Sequence, residues 1–282
     1  MKIIECPRDA MQGIGPFIPT ADKVNYLNQL LKVGFDTLDF GSFVSPKAIP
    51  QMRDTTEVVE QLDLSNTNTK LLAIIANQRG AQTATNYEQI TYLGFPLSIS
   101  ETFQKRNTNK TINEALHVIS EIQEIVINNK KELVVYLSMG FGNPYGDPYS
   151  LEMVAEFVDL IHNMGVKIIS LSDTIGVARP ENIDYLFKNL IAQYPDIEFG
   201  AHLHSRPETA PDKIVAAQKA GCRRFDGAIN GFGGCPMAND ELVGNMATET
   251  IISELRKGNP NMGLKINEFE EAMRMAVPIF GL

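Results

Sequence analysis

The stretch IEFGAHLH, residues 197–204, joins a short apolar segment to two histidines, and the same kind of segment recurs along the chain. Residues 197–201 read as a buried β-strand that His202 and His204 follow at once. Seven similar apolar runs occur elsewhere, and longer segments of helical periodicity separate them. The predicted strands are residues 3–6, 37–40, 71–76, 90–93, 133–137, 167–170, 197–201 and 224–228.

The alternation of strands and helices predicts an α/β fold with parallel strands and crossover helices. Eight strand–helix units in 282 residues give about 35 residues per unit, which fits a TIM (β/α)₈ barrel. A doubly wound open sheet is the alternative, but no G-x-G-x-x-G follows the first strand. Because no linker or repeat interrupts the pattern, residues 1–282 are predicted to form a single catalytic domain, with a further helix over residues 266–279.

Sequence signals at the ends of the predicted helices support these boundaries. A helix over residues 22–33 stops at Gly34, and Thr111 with Glu114 forms a capping box before a run of apolar residues at helical spacing. Ser150 caps another helix that ends at Gly165. These signals place the helices between the strands, as a barrel requires.

Composition and charge exclude several classes of protein. The chain is 44% hydrophobic and 21% charged, which is typical of a globular domain and excludes disorder. A net charge of −9 argues against general binding to nucleic acid or to an anionic membrane. Three cysteines, an odd number, make a disulfide framework improbable. With no membrane span and no export signal, we expect a cytoplasmic protein.

Reactive side chains gather where the predicted strands end. Since a barrel builds its active site at the carboxyl ends of its strands, we expect these side chains to converge there. They include Arg8 and Asp9 after the first strand, Asp39 at the end of the second, Asp173 after the sixth, and His202 and His204 after the seventh.

The histidine pair is the sharpest signal for a metal. Residues two apart in a strand face the same side, so both imidazoles could bind one ion; two solvated or core-satisfied histidines are the alternative. Further ligands at the same rim would come from Asp9, Asp39, Asp173 and Asn245. Nitrogen and oxygen ligands without thiolates indicate a catalytic divalent cation rather than a structural zinc.

Two further segments carry candidate site residues. Cys235 follows the glycine-rich segment GFGG, residues 231–234, so its thiol is either a proton donor or nucleophile on a mobile loop, or a small buried residue in a turn. Residues 42–47, SFVSPK, and the pair Lys105-Arg106 could meet an anionic substrate, although a solvated surface explains the pair equally well.

Taken together, these motifs resemble the hydroxymethylglutaryl-CoA lyases, a branch of the DRE-TIM metallolyases. The motifs are PRDAMQ (residues 7–12), SFVSPKAIPQM (42–52), SETF (100–103), SDTIG (172–176), HLH (202–204), GGCP (233–236) and GNMATE (244–249). They are spread over almost the whole chain, and the SFV block and the GGCP loop are specific to the lyase branch.

The resemblance implies a metal-dependent cleavage of 3-hydroxy-3-methylglutaryl-CoA to acetyl-CoA and acetoacetate. Its implied metal is Mg²⁺ or Mn²⁺, bound by Asp9, His202, His204 and Asn245. Arg8 would hold the thioester enolate oxygen, and Cys235 would deliver or relay a proton to the enolate carbon. The base that removes the hydroxyl proton would be Asp39, Asp173 or His202. Ser42, Ser45, Lys47 and Lys105 would help to hold the CoA thioester.

Departures from the family pattern keep alternatives open. Asp39 stands where glutamate is usual, and Ser205-Arg206-Pro207 replaces the usual aspartate-threonine after the second histidine. The alternatives are a related enzyme on another 3-hydroxy-acyl-CoA, a Claisen-type acyltransferase, and an aldolase on a 4-hydroxy-2-keto acid. A catalytically silent barrel that binds CoA esters is the non-enzymatic alternative. Barrels of this kind often dimerise, so a homodimer is one further expectation, although no segment identifies its interface.

Overall fold

A closed barrel of parallel strands forms the centre of the molecule. The computed structural model describes residues 1–234 and 243–281, and in this part of the chain the barrel has eight strands. They pair in chain order, and the eighth closes against the first. The strands are β1 (Lys2–Glu5), β2 (Thr37–Ser42), β3 (Lys70–Ile74), β4 (Ile90–Ser98), β5 (Glu132–Ser138), β6 (Ile168–Asp173), β7 (Glu198–Leu203) and β8 (Arg224–Gly227). The predicted TIM barrel is confirmed.

Helices surround the barrel, and short 3₁₀ turns lie at Pro50–Met52 and Ile229–Gly231. The helices in the described ranges are α1 (Pro7–Gln12), α2 (Thr20–Val33), α3 (Thr55–Val59), α4 (Gln78–Thr85), α5 (Glu101–Thr108), α6 (Ile112–Asn128), α7 (Leu151–Asn163), α8 (Pro180–Gln193), α9 (Ala210–Lys219), α10 (Thr248–Gly258) and α11 (Ile266–Phe280). The capping box at Thr111 is present, and Gly34 ends α2 in the left-handed conformation that glycine adopts without strain. Across residues 1–234 and 243–281, none of these helices is long and apolar enough to cross a bilayer.

Strand β4 is longer than the sequence predicts. Gly94 and Pro96 read as the end of a strand at residue 93, yet β4 continues to Ser98. It continues because it pairs with β5 without interruption from Tyr92 opposite Glu132 to Ser98 opposite Ser138. The extension carries the chain to Ser100, which caps α5 at the carboxyl end of the barrel.

Helix α11, predicted over residues 266–279, lies across α2. Phe280 meets Tyr26 edge-on with ring centroids 5.9 Å apart, and Phe269 meets Phe35 in the same way at 6.1 Å. Aromatic pairs of this geometry add about 1 kcal/mol each to the burial of their surface. The last helix is therefore an integral part of the barrel's outer layer.

A buried acid lies in the wall of β1. Glu5 is fully buried, its carboxyl group accepts hydrogen bonds from the backbone N–H of Ile229 and the hydroxyl of Thr248, and burial raises its pKa to about 8. The folded state therefore holds a proton that the unfolded chain releases above its ordinary pKa of 4.5.

We expect the free energy of unfolding to fall as the pH rises from about 5 to about 8, by up to roughly 1.4 kcal/mol per pH unit. Glu5→Gln, which cannot ionise, should remove this part of the pH dependence. Urea titrations of both proteins at pH 5, 6.5 and 8 measure the difference. Identical slopes against pH would contradict a neutral Glu5.

Candidate active site

Three predicted metal ligands meet at the carboxyl end of the barrel. Asp9 lies in α1 directly after β1, His202 lies near the end of β7, and His204 follows it. One ligand atom from each of the three lies within 4.8 Å of the other two. A carboxylate and two imidazoles at this spacing can hold one divalent cation.

Two nitrogens of the histidine pair are oriented for a metal. His202 shares its Nδ1 with Asp226 Oδ2 at 3.2 Å, which leaves Nε2 for an ion. Burial lowers the pKa of His204 to about 4, so its ring is neutral. Its Nδ1 is buried and has no hydrogen-bond partner in the described ranges, while the ring also bonds to the backbone at Thr174. A neutral imidazole with an orphaned ring nitrogen beside a carboxylate fits a metal ion.

Asn245, the fourth predicted ligand, lies beside this group. Its amide nitrogen donates to Asp9 Oδ2 and to the carbonyl of Phe232, both at 2.8 Å, and its backbone pairs with that of His204. The structure thus brings Asn245 to the ligand cluster. To coordinate an ion, the side chain would have to present its oxygen in place of the amide nitrogen.

A second group of ligand-type atoms also meets at His202. It joins Cys6 and Asp226 to the same histidine within 4.8 Å. Burial raises the pKa of the Cys6 thiol well above its ordinary value, so the thiolate that a metal requires is disfavoured. The Asp9 group also lines the cavity, whereas Cys6 and Asp226 do not, so it is the better candidate for an ion. Cys6 and Cys222 are both buried.

Arg8 bonds to two carboxylates beside the candidate metal ligands. Its Nε and Nη2 donate to the carboxylate of Asp39, with a shortest distance of 2.6 Å, and its Nη1 donates to Asp9 Oδ1 at 2.9 Å and Gln12 Oε1 at 3.0 Å. Burial opposes the charge of Arg8, but the two carboxylates outweigh it and raise its pKa. The pKa of Asp9 is lowered because Arg8 and the histidines overcome its burial. Arg8 is thus a permanently charged group fixed beside the ligands.

Asp39, predicted as a base or ligand, faces Arg8 rather than the cavity. It is 0% exposed, and burial raises its pKa to about 6 although Arg8 opposes this shift. Both of its oxygens accept from the Arg8 guanidinium. In this structure Asp39 positions Arg8.

Asp173, the other predicted carboxylate, is held within the fold. Its carboxylate accepts from the backbone N–H groups of Val177 and Ala178 and from Lys213 Nζ at 2.9 Å. Lys213 also donates to the carbonyl of His204 at 3.0 Å. The structure therefore does not bring Asp173 into the ligand group, and its lysine partner supports the backbone of a ligand instead.

Lys213→Met should lower the free energy of unfolding by about 3–5 kcal/mol, because it leaves the buried carboxylate of Asp173 without its cation. Urea denaturation at pH 7 measures this loss. Lys219→Met on the same helix is the matched control, since Lys219 is exposed, and should change stability by less than about 0.5 kcal/mol. Equal stabilities for the two variants would refute a structural pairing of Lys213 with Asp173.

Asp226 is a site residue that the sequence analysis missed. It lies in β8 opposite His202 of β7, and its side chain is fully buried. Its hydrogen bond and charge raise the pKa of His202 although burial of the imidazole opposes the shift. A charged residue inside a short predicted strand was the available signal, since such a residue must face a polar partner.

A cavity of about 200 Å³ opens beside the metal group. Its lining combines the polar residues Arg8, Asp9, Gln12, His202 and His204 with apolar side chains from β4, from α5 and from the loop after β2. The apolar members include Val44, Ile49, Pro96 and Phe103. A cavity with a few convergent polar groups is the usual form of a small-molecule site.

The residues predicted to hold CoA differ in exposure. Ser42 is buried, and its hydroxyl accepts from the backbone of Val44, so it shapes the loop. Ser45 and Lys47 are exposed on that loop. Lys105 is exposed on α5, where it pairs with Glu101 at 3.0 Å. Cys235 lies outside the described residues, so its predicted role as a proton donor stays a prediction.

Comparison with known proteins finds related lyases. Hydroxymethylglutaryl-CoA lyase YngG of Bacillus subtilis (strain 168) is 32% identical over 268 residues, covering 95% of this chain and 89% of the relative. A solved HMG-CoA lyase from A. baumannii, in complex with coenzyme A and 3-methylmalate, superposes with a TM-score of 0.91 at 28% identity, covering 99% of this chain and 91% of that one.

A third relative has a different named substrate. It is the (R)-citramalyl-CoA lyase of Chloroflexus aurantiacus (strain ATCC 29366 / DSM 635 / J-10-fl), which is 28% identical over 255 residues. The match covers 87% of this chain and 80% of the relative. The family model described as HMGL-like matches residues 2–276. This chain belongs to the HMGL-like family.

Proposed function

We propose that this chain is a carbon–carbon lyase that cleaves 3-hydroxy-3-methylglutaryl-CoA to acetyl-CoA and acetoacetate. The observation that carries the proposal is the meeting of Asp9, His202 and His204 around one point, with Arg8 fixed beside them at the same cavity. Membership of the HMGL-like family and the likeness to a lyase solved with coenzyme A support the same reaction.

Asp9, His202 and His204, with Asn245 beside them, would hold a divalent cation, and we propose Mg²⁺ or Mn²⁺ because carboxylate and amide oxygens join the imidazoles. When bound, such an ion would supply Lewis acidity that lowers the pKa of the substrate's hydroxyl group. The side chains of this site fix the reacting end of the substrate, which supplies much of the rate advantage of an oriented reaction.

Arg8 would stabilise the charge that develops on the thioester oxygen when the C2–C3 bond breaks. The guanidinium lines the cavity, is always charged and is held by Asp39, so it needs no reorientation during the reaction. Asp39 therefore acts as a positioning residue for Arg8.

Of the three candidate bases, His202 is the one whose side chain lines the cavity in the described part of the chain. The carboxylates of Asp39 and Asp173 form ion pairs with Arg8 and Lys213, respectively. We propose that Cys235 returns a proton to the enolate carbon. Because Asp226 holds His202 Nδ1, His202 Nε2 can either bind the ion or accept the hydroxyl proton, so these two roles of His202 are alternatives. Ser45, Lys47 and Lys105 would contact the phosphates of the CoA moiety at the rim.

A second candidate substrate is citramalyl-CoA, because the relative named for it is nearly as similar to this chain as the HMG-CoA lyases are. Both substrates are CoA thioesters with a hydroxyl on the carbon that is released as a ketone. Small changes in the apolar lining would decide between them, since one methylene in such a pocket changes specificity about 10- to 200-fold.

The test is to incubate the reduced protein with Mg²⁺ or Mn²⁺ and each thioester, and to quantify acetoacetate and pyruvate separately. We expect acetoacetate from the first thioester and none after treatment with EDTA. Pyruvate alone would transfer the assignment to citramalyl-CoA. No product from either thioester, with a metal-loaded and folded protein, would overturn the lyase proposal.

A further inference from the structure

A layer of polar side chains lies inside the barrel directly below the metal-binding histidines. In the strand register, Tyr136 of β5 lies opposite Ser170 of β6, Ser170 opposite Gly200 of β7, and Gly200 opposite Arg224 of β8. Two residues further along the strands, His202 lies opposite Asp226. Because residues two apart face the same side of a strand, Arg224 and Asp226 both point into the barrel, one layer apart.

Arg224 is buried deeply in this layer. It is 0% exposed, and its nearest ion-pair contact is Glu198 Oε1 at 3.6 Å, too long for a hydrogen bond. Within residues 1–234 and 243–281, none of its three guanidinium nitrogens has a hydrogen-bond partner. The same is true of Tyr136 OH, Ser170 Oγ and Asp226 Oδ1.

The fold makes room for Arg224 at Gly200. A Cβ atom at position 200 would lie 3.0 Å from Arg224 Cδ and 2.9 Å from Ser170 Oγ. A side chain at this position would therefore force the side chains of Ser170 and Arg224 to shift. Glu198 Oε1, 3.6 Å from the guanidinium, is unpaired as well in the described ranges, so the arginine has unpaired oxygens on its own layer, and Asp226 provides one on the next layer.

These unpaired groups complement one another in charge and in hydrogen bonding. The guanidinium is a donor only, Asp226 is an acceptor, and the two hydroxyls can do both. Asp226 is also the first carboxylate that stabilises the charge of Arg224 against its burial. Buried polar groups separated by more than hydrogen-bond distance are normally bridged by ordered water.

We propose that Arg224 is a positioning residue for the metal site: through bridging water it holds Asp226 Oδ1, so that Asp226 Oδ2 keeps the proton of His202 on Nδ1 and leaves Nε2 free. A carboxylate behind a metal-binding histidine fixes the tautomer and the orientation of the ring. With Oδ1 unheld, the carboxylate can rotate and the histidine can adopt the other tautomer. The inference rests on the proposed metal site, and its main readout does not require the metal.

The test uses ¹⁵N-histidine NMR of the metal-free protein at pH 8, together with Mn²⁺ titration followed by EPR. The chain has four histidines, so the His202 signals can be assigned with a His202→Gln sample. We expect the wild type to show a proton on Nδ1 and a bare Nε2. Arg224→Met should show a mixture of tautomers and bind Mn²⁺ about 10-fold more weakly.

Two variants separate positioning from general structural damage. Arg224→Lys keeps the charge in the layer and should restore most of the wild-type tautomer, whereas Arg223→Met, an exposed neighbour, should change nothing. If Arg224→Met fails to fold, Gly200→Ala displaces the arginine without removing it and should shift the tautomer in the same direction.

An unchanged tautomer and an unchanged Mn²⁺ affinity in a folded Arg224→Met protein would overturn the proposal. Wild-type protein that binds no Mn²⁺ would overturn the metal site instead, and the NMR comparison would still decide the role of Arg224.

Discussion

Replacing Arg8 by methionine lowers the rate of carbon–carbon cleavage by about three powers of ten, with the metal still bound. Removal of one group that stabilises a developing oxyanion typically lowers kcat by about 10²–10³, and Arg8 also keeps Asp9 and Asp39 apart. The measurement is kcat for acetoacetate release, expressed per folded molecule. The correction for folding matters because the change leaves two buried carboxylates without their cation.

Arg8→Lys and Arg274→Met are the controls for this experiment. Lysine keeps the positive charge but cannot hold Asp39 through two nitrogens, so we expect it to recover only part of the rate. Arg274 is an exposed residue of α11 that pairs with Glu271, and its replacement should leave kcat unchanged. An Arg8→Met protein with near wild-type kcat would exclude Arg8 from the chemistry.

Replacing His204 by alanine abolishes metal binding and, with it, turnover. The variant removes a neutral imidazole that belongs to the ligand cluster, so we expect Mn²⁺ affinity to fall by more than about 100-fold, which exceeds the roughly 10- to 100-fold loss typical of a residue that only supports a ligand. Saturating Mn²⁺ should raise the Tm of the wild type, because the ion binds the folded state alone, and should leave the Tm of the variant unchanged.

His162→Ala is the matched control, since His162 interacts with Asp196 at 3.2 Å on the outer surface of the barrel. Its metal response should equal that of the wild type. A His204→Ala protein that binds Mn²⁺ normally would remove His204 from the ligand set and leave the ion to the other residues at the rim.

The barrel itself was predictable from the sequence because each strand is a local feature. A buried parallel strand is a short apolar run, and the sequence signal of a helix cap such as Thr111 lies within four residues. The histidine pair was equally readable, since its spacing alone puts both rings on one side. The predicted end of β4 at residue 93 was too early, because the pairing of β4 with β5 outweighs the local preference of Pro96.

The partners of the charged residues were not predictable in the same way. Asp173 was a reasonable base until the fold placed Lys213, 40 residues further along the chain, against it. Asp39 is likewise fixed by Arg8, 31 residues before it. Such pairings depend on how α9 and α1 pack on the barrel, and a single sequence does not encode them in any local pattern.

The closure of β8 against β1 also decides when, during synthesis, this protein can acquire its metal site. Asp9 leaves the ribosome well before its partner Asn245, which follows 236 residues later. The four residue pairs between β1 and β8 can form only after both strands have been synthesised. The growing chain also carries Asp9 without its histidines for most of translation. A nascent chain that stops before β8 lacks the strand pairing that closes the barrel, so we expect the candidate metal site to assemble only after β8 has been synthesised.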